Sequence, residues 1–313
     1  MNDVHVDSVL TGISVAFMQQ AENFVASRVF PTVDVMKQSD LYYTYNQADF
    51  WRDQVMPRAD GTESAGSGYG LSTSSYSAMV YALHKDVSDQ VRANTDNPLS
   101  ADRDAAEFVA QQMLLKMEKD WVANYFVSGI WTTDSTPSTL WDAASGSDPI
   151  GNIQTGKNVV RAATGYDPNT LTCSHDVFQV LRNHDDIVER YKYTSDASIT
   201  ADMIAKVLGV DRLLVEGVME NTAVEGASAV YAQLGAKDAL LSYAPTSPGL
   251  QQPSAGYNFN WTGLANSGGI GTSAAVSTFR MDSLKADRVE IEAAWDFKLV
   301  SADMGYFFNN AIG

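Results

Sequence analysis

The chain has 313 residues, of which 45% are hydrophobic and 19% are charged, and this composition excludes a mainly disordered protein and supports a sizeable core. Its 38 acidic and 21 basic residues give a formal net charge of −17, so the surface as a whole repels phosphate backbones and acidic membranes. Sequence-specific nucleic-acid binding is therefore not expected, and any contact with DNA would be weak and non-specific.

A single cysteine, Cys173, excludes an internal disulfide framework and a thiolate zinc site, and it suits a reducing compartment. The N-terminus carries Asp3 and Asp7 but no lysine or arginine before Arg28, which is the opposite of a secretory leader. No stretch approaches the roughly 18 apolar residues of a membrane span. We expect a soluble cytosolic product without a membrane partner.

The first predicted element is a helix over residues 8–27, in which Val9 and Ile13 begin a helix-like spacing of apolar positions. A strand-like run over residues 28–35 follows it. We interpret residues 1–40 as an N-terminal arm that ends in a first strand.

The next segment predicts a long hairpin with tyrosine-rich flanks over residues 41–45 and 76–83. The chain between the flanks shows no clear buried face, and its tip over residues 59–70 is polar and rich in glycine. A loop of this length is usually functional or interacting, so we expect it to reach a neighbouring molecule.

Large aromatic and arginine side chains lie on this loop, in the order Phe50-Trp51-Arg52-Asp53. Such side chains are common anchors of protein interfaces. We therefore predict that Phe50, Trp51 and Arg52 contact another subunit. The alternative is that this segment folds back on its own domain.

The strongest helix pattern covers residues 100–127. Ser100 is a suitable N-cap, and Asp102 and Asp104 follow where the helix dipole favours negative charge. At about 1.5 Å per residue this helix would span roughly 40 Å and would form the backbone of an elongated molecule. Its predicted apolar stripe is centred on Leu114, Met117, Trp121 and Tyr125, and is widened by Phe108, Leu115, Val122 and Phe126.

The middle of the chain alternates predicted helices and strands, which is typical of a mixed α/β unit. The helices are expected over residues 157–164, 176–190 with a break near Asn183, and 200–208. The strands are expected over residues 212–215 and 229–231.

The chain closes on a predicted hairpin. Residues 289–297 alternate apolar and polar side chains, as a half-buried strand does, and residues 275–282 are the expected partner. A turn over residues 283–287 would bring Arg280 near Glu290 as a cross-strand ion pair.

Four groups of residues invite a chemical interpretation, and for each a structural one is favoured. Residues 151–158 nearly spell a phosphate-binding loop, but Asn158 replaces the required Ser/Thr and no buried strand precedes it, so a loop that enters a helix is the better interpretation. Cys173, His175 and Asp176 are sequence neighbours, whereas members of a catalytic triad usually converge from separate elements.

The other two groups are acidic. His184, Asp185, Asp186 and Glu189 fit a solvated helix face better than a metal site. Glu290 and Glu292 lie about 6.8 Å apart on one strand face, but catalytic carboxylates flank a cleft from different elements. We predict no catalytic residue, no metal and no cofactor.

Several short segments occur in a characteristic order and spacing: Arg28-Val29-Phe30-Pro31, Lys37-Gln38-Ser39-Asp40, Phe50-Trp51-Arg52-Asp53, Arg58-Ala59 with Gly61-Thr62-Glu63, Ala82-Leu83-His84-Lys85-Asp86, and stretches within residues 184–193 and 208–217. Over nearly the whole chain this order resembles the tailed-bacteriophage major capsid protein family. These are shape-determining residues and none is catalytic. The resemblance adds Arg58 and Glu63 to the candidate contacts between subunits.

The resemblance implies an α+β fold with a long spine helix, an extended β-hairpin loop and a mixed α/β axial domain. It divides the chain into an N-terminal arm and first strand (1–40), the extended loop (41–85), a peripheral domain with the spine helix (86–150), the axial domain (151–268), a peripheral-domain hairpin (269–301) and a C-terminal segment (302–313). Hexamers and pentamers would build an icosahedral virion shell around double-stranded DNA, assembled in the host cytoplasm.

Two departures from the family pattern modify this expectation. Some relatives carry a removable N-terminal scaffolding domain, whereas here the arm starts almost at Met1, so we expect a separate scaffolding protein beside a portal and a possible decoration protein. Some relatives cross-link through a lysine on the extended loop, but no lysine lies between Lys37 and Lys85, so no such cross-link is expected.

Three other functions remain open. The same fold also builds the shells of bacterial nanocompartments, which enclose protein cargo. A nucleotide-using enzyme would depend on the segment from Gly151 to Lys157. A carbohydrate-binding or decoration module would account for six Trp and 14 Tyr, but neither of the last two explains a long arm beside a spine helix.

Overall fold

The computed structural model describes residues 19–45, 47–95, 100–191, 199–249, 252–263 and 276–313. The helices are α1 (Ala26–Val29), α2 (Gln47–Phe50), α3 (Asp89–Asn94), α4 (Ala101–Tyr125), α5 (Pro149–Thr164), α6 (His175–Asn183), α7 (Asp185–Tyr191) and α8 (Ala201–Leu208). The strands are β1 (Thr32–Val35), β2 (Ser39–Tyr45), β3 (Leu71–Ser77), β4 (Met79–Ser88), β5 (Thr133–Ser135), β6 (Thr170–Ser174), β7 (Arg212–Glu216), β8 (Met219–Asn221), β9 (Tyr231–Gln233), β10 (Ala239–Ser242), β11 (Gly256–Trp261), β12 (Val276–Met281), β13 (Ala286–Leu299) and β14 (Gly305–Phe308). Within these ranges no helix is both long and apolar enough to span a bilayer.

The predicted spine helix is confirmed as α4, which has 25 residues and a length of roughly 37 Å. Ser100 occupies its N-cap position, and Asp102 and Asp104 lie in its first turn. The buried face is rotated from the predicted one. The fully buried row recurs at steps of four residues and consists of Ala105, Val109, Met113, Met117 and Trp121, whereas Phe108 is 45% exposed.

The face of α4 packs on a sheet organised around β13, which has 14 residues. Strand β13 pairs antiparallel with β4 on one side, and with β12 and then β11 on the other; β1 joins β11 in parallel. The predicted terminal hairpin is thereby confirmed as β12–β13, and its alternating apolar residues are buried: Val289, Ile291, Ala293, Trp295 and Phe297.

The predicted pairing of Arg280 with Glu290 is wrong. Arg280 lies opposite Asp287, and Glu290 lies opposite Ser277. The turn of this hairpin is tighter and earlier than predicted, because Lys285 adopts a left-handed φ of 47° and β13 already begins at residue 286. The register therefore differs from the one that a turn over residues 283–287 would impose.

The extended hairpin is formed by β2 and β3, whose pairing runs from Ser39 opposite Ser77 to Tyr45 opposite Leu71. The predicted second flank, residues 76–83, was wrong because it joined the end of β3 to the start of β4. The chain changes sheets at Ala78, which is buried and donates its N–H to the Gln38 carbonyl at 2.8 Å.

The predicted first strand also begins later than expected. Residues 26–29 form the short helix α1, and the strand starts at Thr32. Phe30 between them is fully buried among the rings of Trp121, Tyr125 and Trp131. The predicted helix over residues 8–27 lies mostly outside the described residues.

The axial region is a mixed sheet in the order β5-β14-β10-β6-β7. The predicted break near Asn183 separates α6 from α7, and Gly209 ends α8 with a φ of 66°, as the sequence predicted. The expected strand over residues 229–231 is displaced to β9. The sheet divides two cores, because Leu214 and Leu240 face the spine helix while Leu171, Cys173 and Leu241 belong to the other cluster.

Two arginines fasten one corner of the peripheral sheet. Arg280 donates to both carboxylate oxygens of Asp89 at 2.6 Å. Arg92 donates to Asp102 at 2.7 Å and lies 2.6 Å from Asp287. These contacts join α3, the start of α4 and the β12–β13 hairpin.

We expect this corner to make stability fall at low pH. Hydrogen bonds from Arg280 lower the pKa of Asp89, and hydrogen bonds from Arg92 lower the pKa of Asp287. A depressed pKa stabilises the folded state above the ordinary value of 3.8, and this stabilisation is lost as pH falls through the folded value. Thermal unfolding between pH 6 and pH 2.5 should show a weaker dependence of Tm on pH in Asp287→Asn than in the wild type.

Asp303→Asn is the control for this experiment, because Asp303 is exposed and lies away from this corner, in the turn before β14. It should follow the wild-type profile. Parallel profiles for all three proteins would contradict the role of Asp287.

Candidate subunit interface

The base of the extended loop is held by aromatic side chains from both of its flanks. Tyr45, Phe50 and Tyr69 form a triangle with ring centroids 5.5–5.8 Å apart. The Asp49 carboxylate accepts the Gly70 N–H at 2.8 Å. Phe50 is nevertheless 59% exposed, so the cluster orders the loop and still presents an aromatic surface.

Trp51 contacts its own subunit on one side. A Cβ added to Gly165, just after α5, would lie 2.9 Å from the indole ring of Trp51, and Gln47 donates to the Ala163 carbonyl at 2.7 Å. The alternative of folding back therefore holds for this one face of the segment. The side chain remains 56% exposed, and Arg52 is also exposed.

The tip of the loop is a tight turn of its own. Arg58 donates its Nε–H to the Thr62 carbonyl, and the Thr62 hydroxyl donates to the Ala59 carbonyl at 2.8 Å. Gly61 permits this turn with a φ of 73°. Glu63 follows the turn and is exposed.

Sequence reasoning missed two apolar side chains on the same loop. Val55 is 89% exposed and Met56 is 70% exposed. They lie between Arg52 and Arg58, so the stretch combines apolar and cationic side chains, as interface anchors do. The signal was present as two apolar residues in an otherwise polar segment. The assignment of Phe50, Trp51, Arg52, Arg58 and Glu63 to a subunit contact stays a prediction.

A second feature that the sequence analysis missed is a buried glutamate on the spine helix. Glu118 is 1% exposed and accepts the backbone N–H groups of Val25 and Ala26, each at 3.0 Å. Burial raises the pKa of Glu118 to about 7, against the opposing effect of these hydrogen bonds. The sequence signal was a charged residue between Met117 and Trp121, inside the apolar row.

A matching glutamate ends β7. Glu216 is fully buried and accepts the N–H groups of Val218 at 2.9 Å and Gly235 at 2.7 Å. Burial raises the pKa of this carboxyl group to about 7 as well. Glu216 thus holds the root of the β8–β9 hairpin.

The residues with possible chemistry occupy structural positions. Residues 151–157 lie inside α5, which begins eight residues before the predicted start because Asp148 caps it and accepts the Gly151 N–H at 2.7 Å. The expected entry loop is therefore wrong. Lys157 donates to the Gly209 carbonyl. Cys173 is fully buried, and burial raises the pKa of its thiol.

The acidic groups are also engaged in the fold. His184 lies 2.8 Å from the Ser147 hydroxyl and accepts the Asp186 N–H at 3.3 Å. Glu290 and Glu292 lie on β13, which is flanked by paired strands. Across the described ranges, no group of three or more His, Cys, Asp or Glu side chains is arranged to hold a metal ion.

Comparison with known proteins finds one similar curated sequence and several similar solved structures. No protein-family model matches the chain. The major capsid protein of Burkholderia phage BcepMu is 23% identical over 319 residues, covering 98% of this chain and 97% of that protein. The similarity therefore extends over the whole length of both proteins.

Solved structures share the fold. A phage-related protein from Bordetella bronchiseptica RB50 aligns with a TM-score of 0.69 and 20% identity, covering 94% of this chain and 93% of that one. The capsid structure of cyanophage P-SCSP1u aligns with a TM-score of 0.62 and 8% identity, covering 98% of this chain and 93% of that one. The SrpI encapsulin complex from Synechococcus elongatus PCC 7942 aligns with a TM-score of 0.56 and 11% identity, covering 97% of this chain and 95% of that one.

These similarities agree with the architecture itself. A 25-residue spine helix, an extended hairpin formed by β2 and β3 and a mixed axial sheet occur in one chain and in the order that the resemblance implied. The chain has the fold of tailed-bacteriophage capsid proteins and is similar over nearly its whole length to a phage major capsid protein.

Proposed function

We propose that this chain is the major head protein of a tailed phage and that it self-assembles, as hexamers and pentamers, into an icosahedral shell around double-stranded DNA. The observation that carries the proposal is the extended hairpin beside the spine helix, in a chain that is similar over 98% of its length to the major capsid protein of phage BcepMu. We propose the division that the resemblance implies, with the extended loop over residues 41–85, of which residues 79–85 pair with β13 as part of β4, and most of the axial domain over residues 151–268.

In this proposal the extended loop is the main contact between neighbouring subunits. Its exposed aromatic, apolar and charged side chains supply many modest contacts, and symmetry repeats each of them around the shell. Individually weak contacts allow misplaced subunits to leave before the shell closes. The face of Trp51 that touches Gly165 fixes the direction of the loop, and the exposed face is offered to the next subunit.

The acidic balance fits a container for DNA. A net charge of −17 weakens adhesion between the shell and phosphate groups, so packaged DNA slides during entry and exit. A strongly basic inner wall, with the negative charge confined to the outside, would contradict this part of the proposal. We further propose that a separate scaffolding protein and a portal act with the chain in the host cytoplasm, and that a decoration protein can bind the assembled shell. We also propose that the chain has no catalytic activity.

The experiment that tests the proposal is electron microscopy of the purified protein, alone and with the products of neighbouring genes, after sizing by light scattering. Icosahedral shells, or rings of five and six subunits, are expected. A uniform monomer or small dimer under every condition would overturn the proposal.

The second candidate is a nanocompartment shell, which the similarity to the SrpI encapsulin fold favours. The same micrographs discriminate between the two. A phage head is expected to be larger and to incorporate a portal, whereas a nanocompartment is smaller and holds protein cargo.

We predict that Trp51→Ala and Arg52→Glu leave the subunit folded but reduce the yield of shells by at least several-fold, because both side chains are exposed anchors on the loop. Circular dichroism measures the fold and sedimentation measures the fraction in shells. Trp51→Phe, which keeps an aromatic ring, and Arg190→Glu, a charge reversal on α7, are the controls and should assemble. Wild-type yields from both loop variants would show that this segment is not an interface.

A further inference from the structure

The first described residues of the chain are held by hydrogen bonds at two points. At one point Glu118 of α4 accepts the N–H groups of Val25 and Ala26. At the other, the Gln19 side chain makes two hydrogen bonds to the backbone of Met219, donating to its carbonyl at 2.7 Å and accepting its N–H at 2.8 Å. Residues 19–26 therefore run from the β8–β9 hairpin to the spine helix.

The contact between Gln19 and Met219 depends on Glu216, which orders the ends of the β8–β9 hairpin. Its carboxyl group accepts the N–H groups of Val218 and Gly235, which are the residues at the two roots of the β8–β9 hairpin. Val218 directly precedes Met219, the residue that binds Gln19. The position of the strand that holds Gln19 is thus set by a buried carboxyl group, just as the position of Val25 is.

The charged groups around the two carboxyl groups do not neutralise both of them. Arg28 of α1 lies near Glu118, but its guanidinium donates to the carbonyls of Glu22 and Phe24, and burial lowers the pKa of Arg28. Glu216 raises the pKa of Glu118 further by charge repulsion. Among the described residues, Glu22 and Arg212 also act electrostatically on Arg28, and Lys119, next to Glu118 on α4, pairs with Glu220 of β8.

We propose that Glu118 and Glu216 form a proton-controlled latch on residues 19–26, which is closed when the carboxyl groups are neutral and opens locally when they ionise. A neutral carboxyl group avoids the cost of a buried charge, and its carbonyl oxygen still accepts a backbone N–H. Opening exposes both groups to water, where the ionised form is favoured. The latch lies within one subunit and goes beyond the proposed role in shell assembly.

The direction of the pH effect follows from linkage. Burial raises the pKa of each group from the ordinary 4.5 to about 7 in the closed state, so between these values the closed state binds more protons than the open state. The opening equilibrium should therefore increase with pH, by roughly tenfold per pH unit for each group in this window. Above pH 7 the effect should level off.

Hydrogen–deuterium exchange of the full-length chain from pH 5 to pH 8 tests the latch, with rates corrected for intrinsic exchange. Protection of peptides covering residues 19–30 and 216–221 should fall between pH 5 and pH 7 and level off above pH 7 in the wild type. Glu118→Gln should flatten the dependence for the first peptide, and Glu216→Gln should flatten it for the second. Glu107→Gln, an exposed glutamate on the same helix, is the control and should keep the wild-type slope.

A wild-type profile with no fall in protection over this window would overturn the latch. The same slope in the wild type and in the glutamine variants would overturn it as well. Should Glu118→Gln prevent folding, the wild-type profile and Glu216→Gln still decide. Because exchange is measured on unassembled subunits, failure of the latch and failure of shell assembly are read separately.

Discussion

Replacing Trp121 with alanine is expected to lower the free energy of unfolding by about 3–5 kcal/mol, the usual loss for a large aromatic side chain in a core. Trp121 is fully buried on α4. Its ring lies 6.1 Å from that of Phe30 and 5.7 Å from that of Phe126. The vacated space would be bordered by the buried rings of Phe30 and Phe126, so little collapse is expected to fill it. Urea titration followed by circular dichroism measures the loss.

Trp51→Ala is the matched control, since it removes the same side chain from an exposed position. We expect it to change the free energy of unfolding by about 1 kcal/mol or less. The two tryptophan variants thereby separate folding from assembly, because Trp121→Ala should weaken the subunit and Trp51→Ala should weaken the contact between subunits. Equal losses of stability would mean that the loop tryptophan is part of the core.

Gly305→Ala is expected to destabilise the subunit by up to about 3 kcal/mol, at the upper end of the usual cost of overpacking. A Cβ at this position in β14 would lie 2.0 Å from the ring of Trp131. That ring cannot easily move, because it is buried, packs on Phe30 at 6.4 Å and donates its Nε1–H to the Tyr125 carbonyl at 2.9 Å. The melting temperature and urea midpoint measure the effect.

Gly66→Ala is the control for this change, because a Cβ at Gly66 would meet no atom within 4 Å. It should leave stability unchanged. Trp131→Leu in the Gly305→Ala background should recover part of the loss, since the two residues compete for one space. A double-mutant cycle without coupling would contradict the steric explanation.

The elements with a long, unambiguous period were predicted well from the sequence. The spine helix and the β12–β13 hairpin follow from periodicity that continues over many residues, and α8 follows from a period that Gly209 stops. The errors fall where two elements meet. Nothing local in residues 71–88 distinguishes one strand from two, because the change of sheet at Ala78 depends on a partner, β13, about 200 residues away.

The sequence indicates which loop is suited to form an interface, but it does not indicate which residues of the same subunit that loop contacts. The composition of residues 50–63 identifies a loop suited to binding, yet the packing of Trp51 on Gly165 depends on where α5 ends in space. Glu118 and Glu216 were missed because a glutamate on a helix or at the end of a strand is usually solvated. Only the tertiary structure brings the amide groups of Val25 and Val218 to these carboxyl groups.

The position of β13 in the chain has a consequence for how the protein is made. Arg288 on this strand binds Asp86 of β4 at 2.7 Å, across 202 residues of sequence. The ribosome synthesises β4 long before β13. During translation β4 therefore lacks its strand partner β13, and the peripheral sheet remains incomplete. An unfinished or prematurely terminated polypeptide therefore lacks the sheet against which the spine helix packs. We expect such chains to be excluded from growing particles, which makes the order of synthesis a quality control on the subunits that enter them.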